Sequence, residues 1–124
     1  MAAPSRALNV AAWVAGAMLF VLFTVLASPP KLLGDPQAVE GFAKEGFSDG
    51  FRLFIGASEF LGGIALLIPR LAFWSAAGLT IIMIGAAYTH VAQGDLGHIA
   101  PALVALALCV FVAVVRRGQA LLLS

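Results

Sequence analysis

The sequence has few charged residues and only one cysteine. Asp, Glu, Lys and Arg together make up 10% of the 124 residues, whereas 62% are hydrophobic. The mean hydropathy is +1.05. An average soluble domain is about 25% charged and about 45–50% apolar. The shortage of charge therefore excludes an ordinary soluble domain and predicts an integral membrane protein in contact with the lipid bilayer.

Other scarce residues exclude whole classes of function. The single cysteine, Cys109, rules out an intrachain disulfide and a Cys-x-x-Cys pair, and its apolar surroundings predict a small buried side chain. The net charge of +1 has no basic stripe, so we expect no nucleic-acid partner. Two histidines without ligand spacing predict no metal site. No flavin, haem or iron–sulfur motif identifies a cofactor, which stays unknown.

Four apolar runs are long enough to cross a bilayer, at about 7–28, 51–69, 71–92 and 98–116. They predict an all-α membrane protein with a single domain over residues 1–124, folded as a four-transmembrane-helix antiparallel bundle. The first run exceeds the usual 7–15 residues or so of a signal-peptide core, so we predict a retained helix. Pro29 and Pro30 are expected to end it, because neither donates a backbone hydrogen bond.

The only long polar connection, from Lys31 to Arg52, contains the pattern of a short helix. Asp35 and Pro36 resemble an N-cap followed by a first-turn proline, and Gly46 is a terminating glycine. Apolar and charged residues alternate between them with helical spacing. We predict an amphipathic interfacial helix between spans 1 and 2; the alternative is a partly ordered loop.

Small residues repeat on several predicted helices. Ala12 and Gly16 give the first span a packing face. The third span carries a longer stripe, which we interpret as packing: Ser75, Gly78, Ile82, Gly85 and Thr89. Such faces on three spans exceed what one four-helix core needs, and they predict either a homodimer or close lipid contact.

Glu59 is the only charged residue between Leu53 and Ile68. A charge at the centre of a membrane helix costs about 2.5–3.5 kcal/mol on insertion scales, so it faces a protein interior, a partner or water. We predict that Glu59 is protonated or paired within the bundle, with Lys31 as the charged partner. Arg52 is expected to extend its guanidinium to the interface.

The depth of His90 differs from that of Glu59. In an antiparallel pair of helices His90 lies about nine residues further from the connecting turn, which is roughly 13 Å at 1.5 Å per residue. A joint site then requires a water-filled funnel, or a loop after Pro30 that dips inward with Lys31. His98 lies in the same outer layer as His90.

The positions of the arginines predict the orientation. Four of them collect on one side without a compensating acid: Arg6, Arg70, Arg116 and Arg117. An excess of Lys and Arg marks the cytoplasmic side of a membrane protein. We therefore expect both termini in the cytoplasm, with the long loop and both histidines on the outer side.

Four stretches carry a family resemblance: Lys31 to Pro36, Phe42 to Phe47, Ile55 to Leu67 and Met83 to His90. Together they resemble the DoxX-like family of small bacterial membrane proteins, some of which are named for a subunit of thiosulfate:quinone oxidoreduction. The resemblance implies a four-helix bundle in the bacterial inner membrane, with Lys31, Glu59 and His90 at the family's lysine, glutamate and histidine positions. Ser28 and Ser48 replace residues that are usually glycine and proline in the family.

Two functions follow from these observations. In the first, the bundle binds a lipophilic small molecule, such as a quinone, or a partner membrane protein, in a cavity around Glu59. Lys31, Arg52 and His90 complete the expected ligand-binding set. In the second, a membrane-embedded isomerase or cyclase uses Glu59 as proton donor or acceptor. Both require a ligand-sized polar cavity that opens at Glu59, whereas dry packing there would exclude both.

Overall fold

The computed structural model describes residues 4–122, and all regular secondary structure within them is helical. The α-helices are α1 (Arg6–Phe20), α2 (Ser28–Leu33), α3 (Pro36–Lys44), α4 (Asp49–Ala65), α5 (Pro69–Ala92) and α6 (Ile99–Arg116). A π-helical segment, Val21–Ala27, joins α1 to α2. Short 3-10 helices, Leu96–His98 and Arg117–Gln119, flank α6.

The first helix runs without a break from Arg6 to Leu33, so the predicted stop at Pro29 and Pro30 is wrong. The π-helical segment explains the difference, because the α-helix restarts after it and the prolines fall in the new first turn. A proline is tolerated there, since its missing N–H would have no intrahelical partner. Gly34 ends the helix instead, with a left-handed φ of 74° that favours glycine.

The short helix predicted in the polar connection is present as α3. Asp35 caps it by accepting a hydrogen bond from the Gln37 amide at 2.9 Å, and Pro36 is its first residue. The chain turns at Gly46, where φ is +85°. Ser48 then caps α4 by accepting from the Phe51 amide at 3.1 Å. These caps fix where α3 and α4 begin.

Three helices are long and apolar enough to cross a membrane: Arg6–Leu33, Pro69–Ala92 and Leu96–Gln119. Helix α4 has 17 residues and carries Asp49, Arg52 and Glu59. It packs against the first helix on one side and against α5 on the other. Three charged residues of the candidate site, Asp49, Arg52 and Glu59, therefore lie on α4, and Lys31 lies on α2.

The apolar core lies between α1, α5 and α6. Leu19, Phe23, Leu79 and Val112 are almost fully buried there, as is Cys109, which confirms its prediction as a small buried side chain. The predicted packing face of the first helix is also confirmed, since Ala12 and Gly16 are buried. Close packing of small residues substitutes for the hydrophobic driving force that helices lack in lipid.

The small-residue stripe predicted as the packing face of α5 is confirmed only in part, since Ser75 donates to the Gly62 carbonyl oxygen of α4 and Ile82 packs against the core. The buried residues of α5 are Ala72, Ala76, Leu79 and Met83, whereas Gly78 and Gly85 are exposed. Lipid and protein core are both apolar, so hydrophobicity does not distinguish the two faces of a membrane helix. Part of the stripe, Gly85 with Ile82 and Thr89, lines a cavity.

Candidate functional site

Lys31 and Glu59 form an ion pair between α2 and α4, with 2.8 Å between Lys31 Nζ and Glu59 Oε1. Glu59 is 3% exposed, and a buried carboxylate without a partner would cost several kcal/mol. The predicted pairing of Glu59 with Lys31 is confirmed. Lys31 reaches Glu59 from the continuing first helix, so the inward-dipping loop, one of the two alternatives for a joint site, is not present.

The ion pair leaves hydrogen-bonding capacity on both groups. Lys31 Nζ donates to the carbonyl oxygen of Ala27 at 3.1 Å, at the end of the π-helical segment. It also lies 2.8 Å from Glu59 Oε1, within the distance of a charge-assisted hydrogen bond. Within residues 4–122, no other group is placed to donate a hydrogen bond to the Glu59 carboxylate. The ammonium balances the charge of the carboxylate, and the carboxylate can still accept a further hydrogen bond.

Arg52 lies outside the cavity and hydrogen-bonds the backbone of Lys31. Its Nε donates to the Lys31 carbonyl oxygen at 3.1 Å, and its NH1 lies 3.0 Å from Asp49 Oδ1. The side chain is buried, contrary to the predicted extension to the interface. Asp49 and the carbonyl make this burial favourable by satisfying the guanidinium. Arg52 does not line the cavity that Lys31 and Glu59 reach.

A cavity of about 600 Å³ lies between α4 and α5 and reaches both Lys31 and Glu59. The ligand-sized cavity expected at Glu59 is therefore present, but it is mostly apolar, whereas a polar cavity was predicted. His90 also lines it, so the funnel required for a joint site exists although the two residues lie at different depths. Its polar lining residues are Lys31, Glu45, Glu59, Tyr88, Thr89 and His90.

One wall of the cavity is a cluster of phenylalanines that the sequence analysis did not assign to the site. Phe42 of α3 lies 6.1 Å from Phe47 between ring centroids, and Phe47 lies 4.7 Å from Phe51. Phe54 continues the row at 6.4 Å from Phe51. The spacing of positions 47, 51 and 54 along the chain is the signal that could have revealed it.

Asp95 bridges both histidines just beyond the C-terminal end of α5. The His98 Nδ1 lies 2.7 Å from Asp95 Oδ1, and the His90 Nδ1 lies 3.4 Å from Asp95 Oδ2. The hydrogen bond with His98, together with the proximity of His90, holds the pKa of the Asp95 carboxyl below its ordinary value. Among the residues that the structure covers, no three His, Cys, Asp or Glu side chains are placed to hold a metal ion.

The structure thus brings three of the four predicted site residues to one cavity. Lys31 and Glu59 lie at its inner end, His90 lies further out, and Arg52 supports Lys31 from outside. A family model described as DoxX-like family matches residues 14–112, a stretch that contains all four. No curated protein and no solved structure matches the chain.

Proposed function

The chain belongs to the DoxX-like family, and we propose that it is a four-span membrane protein that binds a lipophilic small molecule beside Lys31 and Glu59. Family membership and three apolar helices make it a membrane protein. The observation that carries the proposed ligand is the cavity, which combines an apolar wall with one buried ion pair. Small-molecule sites commonly have about 300–1,000 Å³ and a few polar groups that fix orientation.

Two features support α4 as the fourth span. Its buried charged residues are both paired, Glu59 with Lys31 and Arg52 with the exposed Asp49 at the start of the helix. Its outer surface carries large apolar side chains, including Phe54 and Leu61, which are 63% and 64% exposed. Exposed apolar area of this kind is expected against lipid and not against water. The adjoining helix α3 would then lie at the membrane interface, as its amphipathic pattern predicts.

The proposed orientation has both termini on the cytoplasmic side of a bacterial inner membrane. Contacts between the chain ends support a shared side. Arg116 NH1 donates to Asn9 Oδ1 at 2.6 Å, and the Leu121 amide donates to the Arg70 carbonyl oxygen at 2.9 Å. The arginines of the first helix, the α4–α5 turn and the C-terminal segment therefore lie at one end of the bundle, which the excess of positive charge marks as cytoplasmic.

Filling the cavity from α5 tests the proposal. A β-carbon at Gly85 or at Gly78 would meet no heavy atom within 4 Å, but only Gly85 lines the cavity. We expect a short-tailed benzoquinone to bind saturably to the purified chain in lipid nanodiscs. Gly85→Leu should weaken binding by about tenfold or more, which is about 1.4 kcal/mol. Gly78→Leu, the matched control, should bind like the wild type.

Absence of saturable binding, or equal losses in the two variants, would contradict the proposal. A membrane protein that co-purifies with the wild type and is lost in Gly85→Leu would instead identify the cavity as a partner's docking site. Native mass spectrometry of the same samples counts subunits and so tests the predicted homodimer.

A second candidate is a membrane-embedded acid–base enzyme of the isomerase or cyclase type. It is favoured by Glu59, a carboxylate that lines the cavity and retains an oxygen able to accept a proton. A general base must lie within hydrogen-bond reach of the proton it removes. Incorporation of deuterium from heavy water into a bound lipophilic ketone, abolished by Glu59→Gln, would support this candidate. Lack of exchange in the wild type would contradict it.

A further inference from the structure

Building on the proposed function, we infer that the polar head of the ligand is a hydroxyl group, as in a lipophilic alcohol or phenol. At the inner end of the cavity, Glu59 can accept a hydrogen bond and Lys31 can donate one. An ether or a ketone head only accepts hydrogen bonds, so a reduced quinol is expected to bind more tightly than the benzoquinone. An anionic head, such as a carboxylate, is expected to bind less tightly than a hydroxyl head.

The Glu59 carboxylate can accept a second donor. It lines the cavity, and among residues 4–122 only the Lys31 ammonium, 2.8 Å from Oε1, is placed to hydrogen-bond it. A carboxylate has about four lone-pair sites, so it can accept a further hydrogen bond beside this one. A ligand O–H directed at the carboxylate would form a charge-assisted bond, which is roughly twice as strong as a neutral one.

Lys31 supplies the complementary donor. An ammonium has three N–H groups, and among the described residues its contacts are Ala27 and Glu59. The remaining N–H can donate to a ligand oxygen. A hydroxyl group donates and accepts at once, so it matches both residues. An ether or ketone matches only Lys31, and an anionic head would be repelled by the Glu59 carboxylate.

An apolar tail of the ligand can leave the cavity between α4 and α5. Phe54 of α4 and Ile81 of α5 line the cavity and are 63% and 71% exposed on the bundle surface. Tyr88, one of the outer lining residues, is 73% exposed. The rim between α4 and α5 is therefore open toward the proposed lipid phase. A molecule whose head reaches Glu59 can leave an apolar tail in the bilayer, so the site is expected to favour lipophilic compounds.

Three probes with one carbon frame test the inference: para-octylbenzyl alcohol, its methyl ether, and para-octylbenzoic acid. Binding is measured to the full chain in nanodiscs, above the uptake by empty nanodiscs. The wild type should bind the alcohol about tenfold more tightly than the ether, since a bond to a charged group is worth about that factor. The acid should bind less tightly than the alcohol.

Glu59→Gln should change the selectivity and not only the affinity. The ratio of alcohol to ether affinity should fall to about threefold or less, because the amide oxygen accepts a neutral bond. The acid should bind more tightly than to the wild type, since Lys31 then lacks its counter-charge. Glu40→Gln, at an exposed acid of α3 that does not line the cavity, should leave all three affinities unchanged.

These measurements distinguish failure of the hydroxyl head from failure of the cavity as a ligand site. Equal binding of alcohol and ether by the wild type, with both weakened by Gly85→Leu, would overturn the hydroxyl head and leave the cavity as a ligand site. Absence of saturable binding for all three probes would overturn both. If Glu59→Gln does not fold, the relative affinities of the three probes for the wild type still test whether the head is a hydroxyl group.

Discussion

Gly56 of α4 lies directly against Lys31 of the first helix. A β-carbon at position 56 would come within 3.0 Å of Lys31 Cβ and within 3.1 Å of the Leu32 side chain. A side chain at position 56 would require Lys31 and Leu32 to give by a few tenths of an ångström, so glycine suits this close approach. Because Glu59 lies one turn further along α4, the same approach brings its carboxylate to the Lys31 ammonium.

Gly56→Ala should therefore destabilise the protein and separate Lys31 from Glu59. Overpacking of this kind costs about 1–3 kcal/mol, and Lys31 Cβ cannot move without its backbone. Thermal unfolding in one detergent measures the loss. Gly50→Ala is the control in the same helix, because a β-carbon there would meet only Ser48 Oγ at 3.9 Å. A control as unstable as Gly56→Ala would show that helix packing at Lys31 is not the cause.

Arg52→Lys should weaken ligand binding although Arg52 does not line the cavity. A lysine has one nitrogen and cannot reproduce both the bond to the Lys31 carbonyl oxygen and the contact with Asp49. We expect a stability loss of about 1–3 kcal/mol and reduced binding of the short-tailed benzoquinone. Arg70→Lys, at an exposed arginine, is the control. Unchanged binding in Arg52→Lys would show that the Lys31 position does not depend on Arg52.

The sequence predicts the helices better than their relation to one another. Apolar runs locate α1, α5 and α6, and the Asp35-Pro36 pair locates the start of α3, because capping is a local interaction. The passage of the first helix through Pro29 and Pro30 depends on a π-helical segment, which has no sequence signal here. The buried face of α5 depends on its contact with α6, which periodicity cannot reveal when both surroundings are apolar.

The site was predictable to the extent that charge is rare in a membrane helix. Glu59 is conspicuous for this reason, and Lys31 follows as its partner. Asp95 was not assigned, because its role depends on a turn that folds it between His90 and His98. The phenylalanine cluster was not predicted, because aromatic side chains are common on lipid-facing surfaces and do not by themselves indicate a binding site.

Asp95 should stabilise the end of α5 in a pH-dependent way. Its carboxyl pKa is lower in the folded protein than its ordinary value of 3.8, so the contribution is present above that pH and is lost as the pH falls through the folded value. Asp95→Asn should lower the Tm at neutral pH, and the gap from the wild type should close in acid. Glu40→Gln serves as control. A gap that widens in acid would contradict this assignment.

Labelling of single cysteines tests the proposed topology. In a Cys109→Ala background, Pro4→Cys and Gly118→Cys should react with a membrane-impermeant reagent from the cytoplasmic side. Glu40→Cys on α3 should react from the opposite side, because an odd number of spans separates it from either of the other two positions. Reaction of positions 4 and 118 from opposite sides of the membrane would show that α4 does not span.

Glu59→Gln, assayed for stability and ligand retention in one preparation, tests the central claim most directly. Glutamine keeps the volume, and its oxygen can still accept from Lys31, which also retains Ala27. We predict a stability loss of about 1 kcal/mol, together with loss of the lipophilic molecule that native mass spectrometry detects on the wild type. Full retention in the variant, or a collapse of stability with retention lost only in proportion, would contradict a ligand-binding role for Glu59.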